Sequence, residues 1–366
     1  MKKQTMPELE IGDLRIKIPI IQGGMAVGIS LSGLASAVAN AGAVGVIATA
    51  GIGMMESDFN TDFKQANQRA LRKEIRKARK FTNGIIGINI MVALSDFKDM
   101  VKISVEENAD IVLLGAGLPL RDLEILIPKH PDERKPKVVP IVSSSRAAKV
   151  IFQYWQKNYR YIPDAVVLEG PLAGGHLGFK REQIGQPEYT LEKILPKLIS
   201  VLKPFEKGFN KKIPVIVAGG IYTGADIFHY FQLGAQGVQM ATRFVATEEC
   251  DASQQFKQAY IDCNREDLII INSPVGLPGR AIKNQFLQEV SEGIRKPFRC
   301  YWKCLKTCDF KGAPYCIASA LTHAQQGKFK NGFAFAGANA YRVEKIKQVK
   351  KLIASLVQEY QLALNH

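Results

Sequence analysis

Eight short apolar runs, nearly all with a glycine, a small polar residue or a lone polar residue at the end, recur along the first two-thirds of this chain. They are Pro19–Met25, Val44–Ala50, Ile85–Val92, Asp110–Gly117, Val138–Ser144, Ala165–Gly170, Pro214–Ile221 and Gly237–Phe244. Several are continuous rather than alternating, the pattern of strands covered on both faces. Helical periodicity fills the gaps between them, for example over Ser145–Asn158 and Ala225–Leu233, so strands and helices alternate in a parallel sheet. Eight such units predict an α/β fold, a closed (β/α)8 TIM barrel. The structural alternative is an open doubly wound sheet, but no Gly-x-Gly-x-x-Gly loop follows the first strand. Beyond Glu248 the rhythm breaks. Residues 249–299 read as helix and loop around the turn-rich insert Asn272–Arg280, a cysteine-rich segment follows at 300–316, and the tail is helical. The pattern therefore divides the chain into a barrel, 1–248, and a helical and loop extension, 249–366, packed on it.

Composition narrows the function classes. The chain has 366 residues, 46% of them apolar, enough for a sizeable core. Its formal net charge of +15 raises the question of a nucleic-acid partner. The densest basic run, Arg69, Arg72, Lys73, Arg76, Lys77, Arg79 and Lys80, surrounds an apolar stripe of Leu71, Ile75 and Ala78. That is a solvated helix face, so no nucleic-acid partner is expected. The charge suits a small anionic or acyl substrate, a phosphorylated cofactor or an acidic protein. Ile18–Met55 carries no charge and is long enough to span a bilayer. Its glycines, serines and proline instead divide it into strand, helix and strand, with Asn40-Ala41-Gly42 as the helix stop. No membrane association is expected. The polar and then acidic N-terminus, beginning Met1–Pro7, does not read as a signal peptide, and a cytoplasmic location is expected. A homo-oligomer is compatible with such a chain.

In a barrel, functional groups gather where strands end at their C-termini. Those ends read Gln22-Gly23-Gly24-Met25, Asn89-Ile90-Met91, Gly115-Ala116-Gly117, Ser143-Ser144, Gly174-Gly175-His176, Gly219-Gly220-Ile221 and Met240-Ala241-Thr242-Arg243. Each glycine alone is explained by a tight turn; the set is not. Three glycines around His176 let a ligand approach the backbone and leave exposed an imidazole able to move protons near neutral pH. Gly219, Gly220, Ala241 and Thr242 follow the seventh and eighth strands, where barrels commonly bind phosphate. A phosphate there, with a flat ring across the barrel mouth beside Gly24, Met25 and Asn89, points to flavin mononucleotide.

Residues 19–244 resemble a flavin-dependent barrel family on the segments Gln22–Ala26, Gly87–Met91, Gly115–Gly117, Glu169–Gly178, Ala218–Ile221 and Gly237–Phe244. The family comprises the nitronate monooxygenases (2-nitropropane dioxygenases), FMN-dependent enoyl-[acyl-carrier-protein] reductases and related NAD(P)H:quinone reductases. The resemblance implies an FMN-dependent oxidoreductase with His176 as the catalytic histidine. It places the FMN phosphate at Gly219, Gly220, Ala241 and Thr242, and the ring near Gly23, Gly24, Met25, Asn89, Gly174 and Gly175. By resemblance the reaction is oxidation of alkyl nitronates with O2. The alternative is a reductase that draws on NAD(P)H and acts on enoyl-acyl-carrier-protein or quinone substrates, for which Arg280–Gln285 resembles a reductase segment and an acidic carrier protein is the partner.

Cys300, Cys304, Cys308 and Cys316 cluster in a way that favours metal over disulfides in a cytosolic chain. A zinc ion and an iron–sulfur cluster are both open, as is a bland role as small apolar residues, with a disulfide between i and i+4 partners. Were 300–308 one helix, the first and third Cα atoms would lie about 12 Å apart, which a single zinc ion does not bridge. Cys250 and Cys263 read as isolated core residues.

Overall fold

The computed structural model describes residues 6–130 and 133–365, so Met1–Thr5 of the N-terminal stretch lies outside the described residues. Eight parallel strands form its central sheet: β1 (Ile20–Gln22), β2 (Gly45–Ala48), β3 (Ile86–Met91), β4 (Ile111–Gly115), β5 (Lys137–Val142), β6 (Val166–Glu169), β7 (Val215–Ala218) and β8 (Gly237–Met240). Each lies in one of the eight apolar runs, and each strand pairs with the next in sequence from β2 to β8, which pairs with β1. The ring closes between β1 and β2. There the Gln22 N–H donates to Val44 O at 2.9 Å, the Val44 N–H donates to Ile20 O at 2.9 Å, and Gln22 Oε1 accepts the Val46 N–H at 2.8 Å. The fold is a (β/α)8 TIM barrel.

Alternation along the strands separates two cores. Ile21, Val46, Leu113, Val139, Val167 and Ile216 fill the barrel interior, together with Leu9, Ile11 and Ile16 from the N-terminal hairpin (Leu9–Ile11, Leu14–Ile16). The hairpin plugs the end where strands begin, since a Cβ on Gly237 would meet Leu9 at 2.9 Å. Alternate residues such as Ile20, Ile47, Ile88 and Leu114 face the outer helices.

Those helices are α1 (Ser32–Asn40), α2 (Phe63–Phe81), α3 (Phe97–Glu106), α4 (Ser145–Tyr159), α5 (Leu191–Phe209) and α6 (Gly224–Gln232). Side-chain caps start several of them: Asp62 accepts from the Gln65 N–H, Ser144 from the Ala147 N–H, and Thr223 pairs with Asp226 in a capping box. The basic run on α2 is an ion-paired outer face. Arg69 meets Asp58 at 2.6 Å, Arg76 meets Glu107 at 2.7 Å and Arg79 meets Asp110 at 2.6 Å. The uncharged stretch is β1, the nine-residue α1 and β2. Among the described residues no helix is long and apolar enough to cross a membrane.

After α7 (Thr242–Val245) and α8 (Gln254–Ile261) the structure departs from the expected helix and loop. Leu268–Asn272 and Pro278–Ile282 form an antiparallel hairpin. The β-branched run Ile269-Ile270-Ile271 favours extended backbone, and the Pro- and Gly-rich insert is its turn. Beyond it lie α9 (Gln285–Ser291), a series of turns, α10 (Ile317–Gln325) and α11 (Val349–Asn365). The last helix packs on α6 and α1, so the outer ring is completed from beyond residue 248. Its approach to α6 depends on Gly224, where a Cβ would stand 2.2 Å from Leu356 O, and whose N–H donates to Glu359 Oε2 at 2.8 Å. Gly224→Ala should therefore lower stability by about 1–3 kcal/mol through overpacking, measured by urea denaturation. An unchanged midpoint would contradict this docking.

Candidate active site

A mostly apolar cavity of about 360 Å³ lies where the strands end. Gly23, Gly24, Met25, Asn89, Gly174, Gly175, His176, Gly219, Gly220, Ala241 and Thr242 all line it. The eleven non-cysteine positions singled out in the sequence thus come together in one place.

Its floor after β7 and β8 is a cradle of main-chain donors. Among the described residues, the N–H groups of Gly219, Gly220, Ala241 and Thr242 donate to no protein acceptor. Gly219 has φ +93° and Gly220 φ +90°, and a Cβ would meet Gly170 O at 2.8 Å and Leu172 Cδ1 at 2.9 Å respectively. Only glycine fits there without strain. The back of the cradle comes from residues near the C-terminus. The Gly337 N–H donates to Thr242 Oγ1 at 3.3 Å, and the Asn339 amide donates to Gly220 O at 2.7 Å. Across the cavity, Gly24 lies so close to Asn89 that a Cβ would come within 2.4 Å of that side chain. Gln239 Oε1 is buried in the wall without a hydrogen-bond partner among the described residues. Val27 and Ala116, both on the wall, hold φ at +53°. That is strained for a non-glycine residue, above all a β-branched one.

His176 is positioned by the extension. Gly175–His176 forms a third strand on the hairpin, opposite Arg280 and Gly279. His176 Nε2 shares a 2.7 Å hydrogen bond with Ser273 Oγ, and its ring stands 5.0 Å from that of Phe335, edge to face. Burial pushes the imidazole down to about 4, so the ring is neutral at pH 7. The same desolvation pushes Glu169, at the end of β6 and on the same wall, up to about 7. The loop between them is held by Arg280, which is buried and donates from one guanidinium nitrogen to Pro171 O at 2.7 Å and Ala173 O at 2.6 Å. Burial lowers Arg280 to about 10, which leaves it charged at neutral pH.

Sequence alone gives no role to Glu169, Gln239, Ser273 or Phe335, and offers Arg280 only within the reductase-like segment. Glu169 carries a signal, a carboxylate closing an apolar strand, and Gln239 lies within β8; Ser273, Arg280 and Phe335 come from a hairpin and a distant segment that the pattern reads as extension. The four clustered cysteines sit at the rim, and Cys304 also lines the cavity. All six cysteines are free thiols, with Cys250 and Cys263 buried. Residues 300–308 form turns rather than a helix, so the helical spacing that separated the thiols does not apply.

The fit to a flavin mononucleotide is direct: unpaired N–H groups and a hydroxyl for the phosphate, and an orphaned amide oxygen with close-packed glycine for a flat polar ring. A (β/α)8 barrel with this cradle and a half-buried histidine defines a flavin-dependent oxidoreductase. The nitronate monooxygenase family model matches residues 8–359, and the chain belongs to that family. A "Probable nitronate monooxygenase" of Staphylococcus saprophyticus is 29% identical over 310 residues, 77% of this chain and 80% of that one. One from Staphylococcus aureus strain Newman is 30% identical over 305 residues, covering 76% and 79%. The structure of FabK from Thermotoga maritima is similar with a TM-score of 0.72 and 28% identity, over 96% of this chain and 94% of that one. Nitroalkane oxidase from Streptomyces ansochromogenes shares the fold, with a TM-score of 0.71 and 20% identity over 96% and 97%.

Two outcomes follow for the site. Gly219→Ala should weaken FMN binding at least tenfold, about 1.4 kcal/mol, in a fluorescence titration; unaltered affinity would remove the cradle from the phosphate. Arg280→Ala leaves two buried carbonyls without a donor, and should cost about 2–4 kcal/mol of stability by urea denaturation.

Proposed function

We propose that this enzyme oxidises small alkyl nitronates with dioxygen, with His176 as the catalytic residue facing the substrate. The observation that carries the reading is a neutral, half-buried imidazole, fixed by Ser273 in an apolar cavity beside the cradle. The cradle would hold the FMN phosphate, and Gln239, Asn89 and the backbone at Gly24 and Met25 its ring. When bound, FMN supplies electron transfer between nitronate and dioxygen. Because only desolvation depresses His176, an anion entering the cavity favours its protonated form. A nitronate is therefore attracted to a protonated imidazole, and a neutral nitroalkane gives its α-proton to the unprotonated one. Ser273 restricts rotation of the ring, and Phe335 walls off one side from water. Glu169 is uncharged below about pH 7 and there does not repel the substrate.

A second reading, NAD(P)H-dependent reduction of an enoyl-acyl-carrier-protein or quinone, is supported by the similarity to FabK over nearly the whole chain. Arg280 adds nothing to carrier docking, because its guanidinium is buried against the His176 loop. Flavin absorbance under anaerobic conditions separates the two readings. Bleaching by an alkyl nitronate, and not by NADH or NADPH, is expected; rapid bleaching by either nucleotide would replace the first reading by the second.

His176→Ala should lower turnover about 10²–10⁴-fold with FMN still bound, and normal turnover would remove the assignment. The pH dependence has a definite sign. With a nitronate as substrate, kcat/KM should hold from pH 7 down toward 4, where His176 gains its proton, and fall above about 7 as Glu169 ionises. Glu169→Gln should abolish the alkaline fall, which a purely structural Glu169 would leave in place.

A further inference from the structure

The cysteine-rich segment plays no part in nitronate oxidation as proposed, yet it is built as a site. Cys300, Cys304, Cys308 and Cys316 line one small apolar cavity beside the main one. Cys304 lies within electrostatic range of the other three. The left-handed turn at Lys303, φ +44°, bends the chain so that successive thiols reach the same space. A main-chain donor already points at sulfur. The Lys303 N–H donates to Cys300 Sγ at 3.4 Å, and Cys316 stands at the start of α10.

Two further side chains point to a missing acceptor. Tyr315 is 2% exposed, lines this cavity, and its hydroxyl has no hydrogen-bond partner among the described residues. Trp302 Nε1 is buried and orphaned in the same way, on the wall shared with the main cavity. Buried donors in native proteins are almost always paired, so the cavity calls for an occupant with acceptor atoms. Residues 295–311 carry six Lys or Arg, namely Arg295, Lys296, Arg299, Lys303, Lys306 and Lys311, against one carboxylate, Asp309. That balance suits an anionic occupant.

No three of the described His, Cys, Asp or Glu side chains converge closely enough to hold one metal ion, which argues against zinc. Thiols arranged around a space rather than on a point match an iron–sulfur cluster, whose several irons are bridged by sulfide and held by four thiolates. We propose that Cys300, Cys304, Cys308 and Cys316 bind an iron–sulfur cluster beside the barrel mouth, with Tyr315 and Trp302 donating hydrogen bonds to its sulfides. Binding of the cluster displaces the thiol protons.

The test is anaerobic incubation of the full chain with ferrous iron and sulfide, then desalting and assay of iron, acid-labile sulfide and FMN. Wild-type protein should retain iron and sulfide in equal amounts, and Cys304→Ser and Cys316→Ser should lose nearly all of both while keeping FMN. His176→Ala should keep the iron, so failure of the nitronate reading leaves this result intact. Retention of no iron, or of added zinc without sulfide, would overturn the proposal. Should both serine variants also lose FMN, alkylation of reconstituted wild-type protein decides: protection of these four thiols supports the cluster, and their ready alkylation overturns it.

Discussion

Arg280 carries a positive charge into the interior and, among the described residues, meets no carboxylate there. Its two hydrogen bonds go to the carbonyls of Pro171 and Ala173, at the start of the loop that bears Gly174, Gly175 and His176. Charge-assisted bonds of this kind are stronger than neutral ones, and the low surrounding dielectric strengthens them further. They tie a hairpin around residue 280 to a barrel loop a hundred residues earlier. With that tie in place, His176 can lie beside Gly279 as a strand, reach Ser273 and stand against Phe335. Without it, the loop would keep only main-chain ties, such as the Leu177 N–H to Pro278 O and the Ala338 N–H to Leu172 O.

The electrostatics of the cavity follow from enclosure more than from pairing. Burial is the cause that shifts both His176 and Glu169, and it moves them in opposite senses toward their neutral forms. Glu169, ordinarily ionised at neutral pH, thereby becomes a weak acid, and His176 stays a neutral base well into the acid range. Outside, the protein is strongly basic, but the densest run of that charge is matched by carboxylates on neighbouring elements of the barrel.

Most of the barrel is legible because several strands are continuous apolar runs and nearly every strand end is marked by glycine or a lone polar residue. The cradle was legible for the same reason: Gly219 and Gly220 occupy positions that no side chain could share. What stayed hidden arrives from far away in sequence. Ser273 lies in a Pro- and Gly-rich turn with many equally plausible serines elsewhere, and Phe335 is one aromatic among eighteen phenylalanines, so neither residue type identifies its own role. The hairpin was misread because its turn residues dominate a stretch whose short β-branched run is equally compatible with buried helix. The cysteines are visible in the sequence, but helical spacing does not describe them, because residues 300–308 form no helix.

The eighth place in the outer ring is taken by α11, the last helix of the chain. A ribosome releases residues in order, at about 5–20 per second, so every strand of the barrel has emerged well before the helix that packs on α6 and α1. During synthesis there is an interval in which the sheet can pair while one flank of the ring is bare and Gly224 has no neighbour. Gly337 and Asn339, which close the back of the cradle, also emerge in that interval, later than every residue they touch on the barrel. The order of synthesis thus leaves this end of the cavity to be sealed only after every strand of the barrel has emerged.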